Sequence, residues 1–403
     1  MNNEKEEKLL NMMNASFEFH PVGQGLFYTG NIYDEGTPFS FVYDCGGEKR
    51  FIGREIESYY RRHGSKELDL IVLSHLHADH INGVKKLLGL TSDPNDSKRT
   101  RVVMPYSNKA MNLLYEFEYI IKNGYNKEVS QFYNDPIRTI RSFRDCEIIL
   151  VTSDIEKAVD EAEEDGLDFR PEKELKGVNG TIYKLHEGSG SGDNSKEYSN
   201  VYLVEALDGA FSSKCWFYRI IQPSFDFSKF ELFKQICKMN GISEAIDIFR
   251  NKAALREIRR AKLCLNDSCI VMKHWFNDTV NSRTTILTGD LSGKKANCFL
   301  KGIASREGQR PFVFQIPHHG AKCKKGSCIV DAEFSVVSYG CDNTYGHPDS
   351  ETIKRYLEKS TIVSVNENKF FAYGVRPCNP LRTQGMNCNS YYVTYDTRVL
   401  DLF

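Results

Sequence analysis

The sequence predicts an α+β protein made of two β-rich halves, and three observations carry that prediction. Short β-branched runs end repeatedly in loops marked by Gly, Asp or His. Stretches with helical spacing lie between those runs. Six of the ten histidines fall in just three of the loops. Histidines placed for packing scatter along a chain, so this concentration points to a site assembled at strand ends.

Taken in order, a polar amino-terminal tail is followed by Phe17 to Val22, which alternates as a strand and runs into Gly23-Gln24-Gly25. A second strand, Phe39 to Tyr43, ends in Asp44-Cys45-Gly46-Gly47, and a helix covers Phe51 to Arg62. Leu68 to Leu73 is a short aliphatic run of the kind that forms a buried strand. It leads into Ser-His-Leu-His-Ala-Asp-His-Ile-Asn-Gly at 74–83 and a helix over 79–88, with Val84, Leu87 and Leu88 on one face. A strand at Val102–Met104, helices at Lys109–Lys122 and Glu128–Phe143, and a strand at Glu147–Thr152 follow. Residues 153–180 are charged and poor in large apolar side chains, with a helix near Ile155–Glu164; Gly188 to Lys196 is a Gly/Ser-rich surface loop.

From about 205 to 262 the pattern turns helical, with Phe230–Met239 and Ser243–Ala261 its clearest pieces. This stretch reads as a helical insertion within one domain spanning 1–403. Lys252, Arg256, Arg259 and Arg260 share one side of its second helix, a solvated face or a surface for a polyanion. Strands return at Ser268–His274 and Arg283–Leu287, the latter running into Thr288-Gly289-Asp290. A helix at Lys295–Ile303, a strand at Pro311–Ile316 and Pro317-His318-His319-Gly320 come next. Strand Phe334–Ser338, the loop Tyr345-Gly346-His347-Pro348, helix Ser350–Lys359 and further strands close the chain.

Composition bounds the function. The chain has 403 residues, 40% hydrophobic and 12% aromatic, enough for a sizeable core, and a net charge of −1. No global field draws it to nucleic acid, although a locally basic cleft remains open. The start, MNNEKEEKLL, lacks the apolar core of a signal peptide, and no run is apolar enough to span a membrane. Twelve scattered cysteines without such a signal suggest reduced thiols in a cytoplasm.

His75, His77, Asp79 and His80 place four ligating side chains in six positions on a tight strand-to-helix loop, where they can converge on one point. Imidazole and carboxylate suit zinc and its first-row neighbours. His20, His63, His186 and His274 have no such company and read as structural.

The H-x-H-x-D-H pattern at 75–80 resembles the metallo-β-lactamase superfamily, and further matches follow in the expected order. That resemblance implies a four-layer αββα sandwich and two divalent metal ions, zinc first and manganese as an alternative. Pro-His-His-Gly at 317–320 and Tyr-Gly-His-Pro at 345–348 resemble the branch that contains the competence protein ComEC and bacterial phosphorylcholine esterase. Carried over, His75, His77 and one of His318 or His319 would hold one metal; Asp79, His80 and His347 would hold the other, with Asp290 bridging. Of the adjacent pair, His319 is the expected ligand and His318 the expected substrate contact. Asp79, Asp290 and His318 would act in the reaction. Asp44 resembles the first motif of the family, whose Asp orients the histidine loop; Asn266 to Val271 resembles a structural strand of the same branch. Leu26 stands where that branch has an acidic residue, and Ala321 where it has a small hydroxyl residue. Lys322, Lys324 and Lys325 follow, able to approach a phosphate or simply to coat a loop.

Two metals sharing a water lower its pKa toward neutrality and polarise the electrophile, which makes hydrolysis the reaction class. The ComEC and phosphorylcholine esterase resemblance favours a phosphodiesterase or nuclease. The near-neutral charge favours a hydrolase of small esters, lactones or thioesters. A third reading is a partner-gated, non-catalytic module that docks another protein through the helical insertion.

Overall fold

Alternating and continuous apolar runs build two sheets in the computed structural model. It describes residues 13–34, 37–63, 67–91, 99–186, 200–210, 216–223, 228–261, 263–276, 284–292, 297–302, 310–323, 327–377 and 391–395. In chain order the strands are β1 (Met13–Phe19), β2 (Phe27–Asp34), β3 (Thr37–Cys45), β4 (Leu70–Val72), β5 (Arg101–Pro105), β6 (Glu147–Val151), β7 (Asp168–Glu172), β8 (Ile182–His186) and β9 (Val201–Val204). They continue as β10 (Ala206–Ala210), β11 (Trp216–Ile221), β12 (Val271–Phe276), β13 (Thr284–Leu287), β14 (Val313–Gln315), β15 (Phe334–Ser338), β16 (Thr361–Val365), β17 (Phe371–Pro377) and β18 (Tyr391–Tyr395).

One sheet has the order β18-β17-β1-β2-β3-β4-β5-β6-β9-β8-β7, the other β10-β11-β12-β13-β14-β15-β16. The two pack face to face over an aromatic-rich core in which Phe17, Phe41 and Tyr43 of the first meet Trp216, Met272 and Val336 of the second. The outer face of the first sheet is covered by helices Lys49–His63, Lys109–Asn123 and Ser228–Met239, which share one apolar cluster. Helix Ser350–Leu357 covers the outer face of the second. Helices, sheet, sheet, helices are the four layers expected.

Several elements differ from the sequence reading. The strand β2 lies inside what read as a glycine turn and connector, because Phe27 to Asp34 mixes Gly and polar residues into its apolar pattern. The helix expected over 79–88 is two pieces, Ala78–Ile81 and Val84–Leu90, parted at Asn82-Gly83. The helix expected over 128–143 breaks at Asp135-Pro136, where proline opens a new helix that the Asp135 side chain caps. The pattern read as helical from 205 opens instead with β10 and β11, which extend the second sheet next to β12; helices start at Ser228. The charged stretch after 153 contains β7 as well as its helix. The Gly188–Lys196 loop lies outside the described residues, and among the described residues nine cysteines are free thiols. No helix among the described residues is long and apolar enough to cross a membrane.

A polar chain runs through the inter-sheet core. Tyr28 Oη lies 2.8 Å from His274 Nε2 and 2.7 Å from Tyr373 Oη, and Thr285 Oγ1 is 2.6 Å beyond. His274 is thus structural, as read from its isolation. Burial pushes its imidazole from the ordinary 6.5 down to about 3. The unfolded chain therefore binds a proton near pH 6.5 that the folded protein accepts only near pH 3, so stability falls as pH drops between the two. A His274→Gln protein lacks this proton uptake. Its stability gap to wild type in urea titrations should narrow between pH 7 and pH 4, whereas a merely steric role would keep the gap constant.

Candidate metal centre and active site

Two groups of parallel strands decide where side chains gather. β3, β4 and β5 run parallel in the first sheet, and β13 to β16 run parallel in the second. Parallel neighbours open their following loops at the same edge, the usual place for a ligand in such sheets. Asp44 ends β3; His75, His77, Asp79 and His80 follow β4; Asp290 follows β13; His318 and His319 follow β14; His347 follows β15. All of them lie on one edge of the sandwich.

The histidine loop folds tightly against two glycine turns. A Cβ added at Gly25 (φ +140°) would sit 2.4 Å from the Asp79 carbonyl oxygen, and one at Gly46 would sit 2.3 Å from the same atom. Leu26 N–H donates to that carbonyl at 3.4 Å. The position where the resembling branch has an acid thus supplies a backbone donor here.

Asp44 is fully buried in left-handed backbone (φ 54°). Its Oδ1 accepts Ser74 N–H at 2.6 Å, and its Oδ2 accepts Ser74 Oγ–H and His80 Nδ1–H, both at 2.7 Å. Ser74 Oγ lies 2.9 Å from His75 Nδ1. One carboxylate therefore fixes two imidazoles, the second through a serine. Burial pushes the Asp44 carboxyl up, against the pull of His80 and Ser74.

His319 is held in the same manner, with Nδ1–H donating to the Ser338 carbonyl at 2.8 Å. His77 is turned round: its Nε2 bonds Glu118 Oε2 at 2.8 Å, which leaves Nδ1 for the centre. His318 and His319 both have left-handed backbone (φ 52° and 53°), a conformation that costs of order 1–3 kcal/mol for a non-glycine residue. Two such residues in succession make the rings diverge. His319 is buried, whereas the His318 side chain is 34% exposed.

Asp290 stands between the groups. His80 Nε2 and His319 Nε2 lie 3.1 and 3.5 Å from its Oδ1, while His75 Nε2 and His318 Nε2 lie 3.8 and 3.7 Å from its Oδ2. His319 Nε2 is also 3.5 Å from Asp79 Oδ2. Ligand atoms of His75, His77 and Asp290 lie within 4.8 Å of one another, and so do those of Asp79, His80 and His319. His319 accordingly faces the Asp79–His80 side, not the His75–His77 side expected from the resemblance. His347 packs its ring on His318 and His319, with centroids 5.2 and 6.3 Å apart, and its buried Nδ1 has no partner.

These residues fit a pair of cations. Nε2 of His75, His80 and His319 and Oδ1 of Asp290 are all buried without a hydrogen-bond partner. With each Nδ1 holding its proton outward, lone pairs of nitrogen and oxygen converge on one another, an arrangement that only positive charge satisfies. Burial and the neighbouring His80 and His77 hold His75 well below its ordinary range. His80, flanked by Asp290 and Asp44, is raised in spite of burial. Asp79 is held below the usual carboxylate range by His319 and His80, although burial alone would raise it. Burial together with His318 and His319 pushes His347 down to about 4.

A cleft of about 1190 Å³ opens from His77 and Asp79 between helix Lys109–Asn123, helices Lys127–Asn134 and Pro136–Phe143, and residues 342–345. Lys322 is exposed, and Lys324 lies outside the described residues. Lys252, Arg256, Arg259 and Arg260 are exposed on helix Lys252–Ala261. Three contributors were not legible in advance. Ser74 adjoins the motif but had no assigned role. Glu118 has no mark beyond its place on a helix. Asn266, read as structural, sets its Nδ2 3.3 Å from both ring nitrogens of His318.

Layers, strand order and site define a metallo-β-lactamase sandwich with a metal-binding cluster at its edge. Residues 35–139 match the family model described as the metallo-beta-lactamase superfamily. No protein of curated function matches it in sequence. It is similar to solved structures at low identity. The metallo-beta-lactamase fold protein YhfI from Bacillus subtilis aligns at 9% identity over 89% of this chain and 99% of that one, with a TM-score of 0.38. MIM-1 from Novosphingobium pentaromativorans aligns at 9% identity over 75% and 76%, with a TM-score of 0.30. BJP-1, a subclass B3 metallo-beta-lactamase of Bradyrhizobium japonicum, aligns at 10% identity over 77% and 83%, with a TM-score of 0.28.

Removing the orienting carboxylate tests the arrangement. An Asp44→Ala protein should bind zinc about 10- to 100-fold more weakly, the usual cost of losing such a partner, when measured by competition with a chromophoric chelator. Unchanged zinc affinity would mean that Asp44 serves folding alone.

Proposed function

We propose that this protein is a metal-dependent hydrolase whose two cations are held by His75, His77 and Asp290 on one side and by Asp79, His80 and His319 on the other. His347 would complete the second position, and Asp290 would stand between the two. The observation that carries this reading is the set of buried, unpartnered ring nitrogens converging on an unpartnered carboxylate oxygen. Divalent cations, when bound there, would supply a water of lowered pKa and stabilisation of charge on the substrate's oxygens. The protein's own part is orientation. Asp44, Ser74, Glu118 and the Ser338 carbonyl keep each imidazole in one tautomer and one direction. His318, one-third exposed, steadied by Asn266 and with Nε2 3.7 Å from Asp290 Oδ2, is the ring that can hold or pass a proton at a departing oxygen.

The favoured reaction is cleavage of a phosphodiester, since paired cations suit an in-line displacement with attacking and leaving oxygens on opposite sides. The cleft argues for a compact substrate. Glu48, Glu118, Glu128, Asp135 and Asp342 line it beside Lys49, Lys85, Lys122 and Arg138. A long polyanion gains its affinity from phosphate-neutralising cations, and walls of mixed charge offer few. The apolar wall of Tyr115, Tyr119, Phe132 and Val129 favours, as a second reading, an uncharged ester or thioester.

Manganese- or zinc-loaded protein should hydrolyse bis(p-nitrophenyl) phosphate faster than p-nitrophenyl acetate, a thioester or a β-lactam. The opposite order would replace the phosphodiester by the second reading. Metal analysis of the same sample should give two ions per chain. Asp79→Ala and Asp290→Ala should each lower kcat/KM by more than about a hundredfold, the scale of losing a preorganised electrostatic group. Full activity in either variant would assign the cleavage to another protein in the sample.

A further inference from the structure

We propose that Tyr345 is the surface on which a planar group of the substrate stacks, which makes it a specificity-determining residue of this site; the proposal rests on the hydrolase reading above. Its ring lines the cleft, on the loop that carries His347, and is 51% exposed. Isolated exposed aromatics are ordinary. This one is held in place. Asn343 Nδ2 donates to the carbonyls of Gly340 and His347, both at 2.6 Å, and Asn343 Oδ1 accepts the N–H groups of Tyr345 and His347, both at 3.1 Å. Gly340 N–H reaches Gln24 Oε1 at 3.3 Å, which ties the loop to the glycine turn under the histidine motif. An asparagine that spends its four side-chain bonds on the backbone of Gly340, Tyr345 and His347 fixes the loop that carries the ring before any ligand arrives.

The surroundings suit a flat, partly anionic group. Tyr345 stacks on His347 with centroids 5.8 Å apart and planes 28° from parallel, so a molecule lying on it sits beside the proposed metal positions. Tyr119 and Phe132 belong to the wall of the same cleft. Lys122 Nζ lies 5.3 Å from the Tyr345 ring centroid. Cation–π contacts at exposed sites are weak. A planar group displaces the ammonium from the ring, and the ammonium then stays close enough to meet an anionic oxygen. The chemical class is therefore a phosphoryl group bearing an aryl or nucleobase substituent, in preference to one bearing a small alkyl substituent.

Calorimetric titration of the manganese-loaded full-length protein with phenylphosphonate and methylphosphonate tests this directly. Stacking of a flat ring on an aromatic side chain supports about a five- to hundredfold preference. Wild type should favour phenylphosphonate by about tenfold, within that range. Tyr345→Ala should bring the ratio to about one with methylphosphonate affinity unchanged, and Tyr345→Phe should keep the wild-type ratio. An unchanged ratio in Tyr345→Ala overturns the proposal, even in an enzyme fully active on bis(p-nitrophenyl) phosphate. A ratio that collapses in Tyr345→Ala while bis(p-nitrophenyl) phosphate remains intact in wild type would support the stacking surface and sink the phosphodiester reading instead.

Discussion

The structure depends on one buried carboxylate. Asp44 lies in the interior on left-handed backbone, a position that would be costly without compensation. It is compensated by three donors: the Ser74 amide, the Ser74 hydroxyl and the His80 ring. Those same bonds turn His80 directly, and His75 through the serine, so that both present bare nitrogens to one point. The unfavourable backbone at Asp44 and the favourable geometry of the candidate metal centre are therefore the same feature. A residue held this way is over-determined by its surroundings, which is how a strained conformation persists in a folded protein.

Neither half of the sandwich makes the centre alone. The first sheet supplies His75, His77, Asp79 and His80; the second supplies Asp290, His318, His319 and His347. What aligns them is the core between the sheets, where Phe17 meets His274 and Trp216 at ring distances of 4.8 and 5.2 Å and Tyr28 meets His274 at 6.0 Å. A one-residue slip in any of these strands would turn its inward side chains to the other face and move its carboxyl-end loop off the edge. The tight fit of Gly25 and Gly46 against Asp79 then carries that alignment from the sheets to the ligands.

Much of this was legible in the sequence, for identifiable reasons. The clustering of the candidate residues was readable because histidine and aspartate were concentrated at the ends of short aliphatic runs, and those runs are the parallel strands β4, β13, β14 and β15. The layers were readable because apolar runs and helical spacing alternate. What escaped notice has physical causes too. β2 was hidden because Gly30 and Asn31 interrupt its alternation, and β10 because Asp208 and Gly209 do the same. The breaks at Asn82-Gly83 and Asp135-Pro136 sit inside continuous helical spacing, which periodicity alone does not divide. Glu118 and Ser338 act through contacts made only after folding, one by a side chain and one by a carbonyl. The side of the centre that His319 joins depends on two successive left-handed residues, a backbone choice that side-chain identity does not announce.

The central claim is that two cations occupy the convergence of these buried atoms. Anomalous diffraction at the zinc edge from crystals of the zinc-loaded protein tests it most directly. Two peaks should appear at about 2.0–2.3 Å from the ligand atoms, one against His75 Nε2, His77 Nδ1 and Asp290 Oδ2, the other against Asp79, His80 Nε2 and His319 Nε2. A map with no peak among these atoms, or with zinc only at surface cysteines or histidines, would contradict the account.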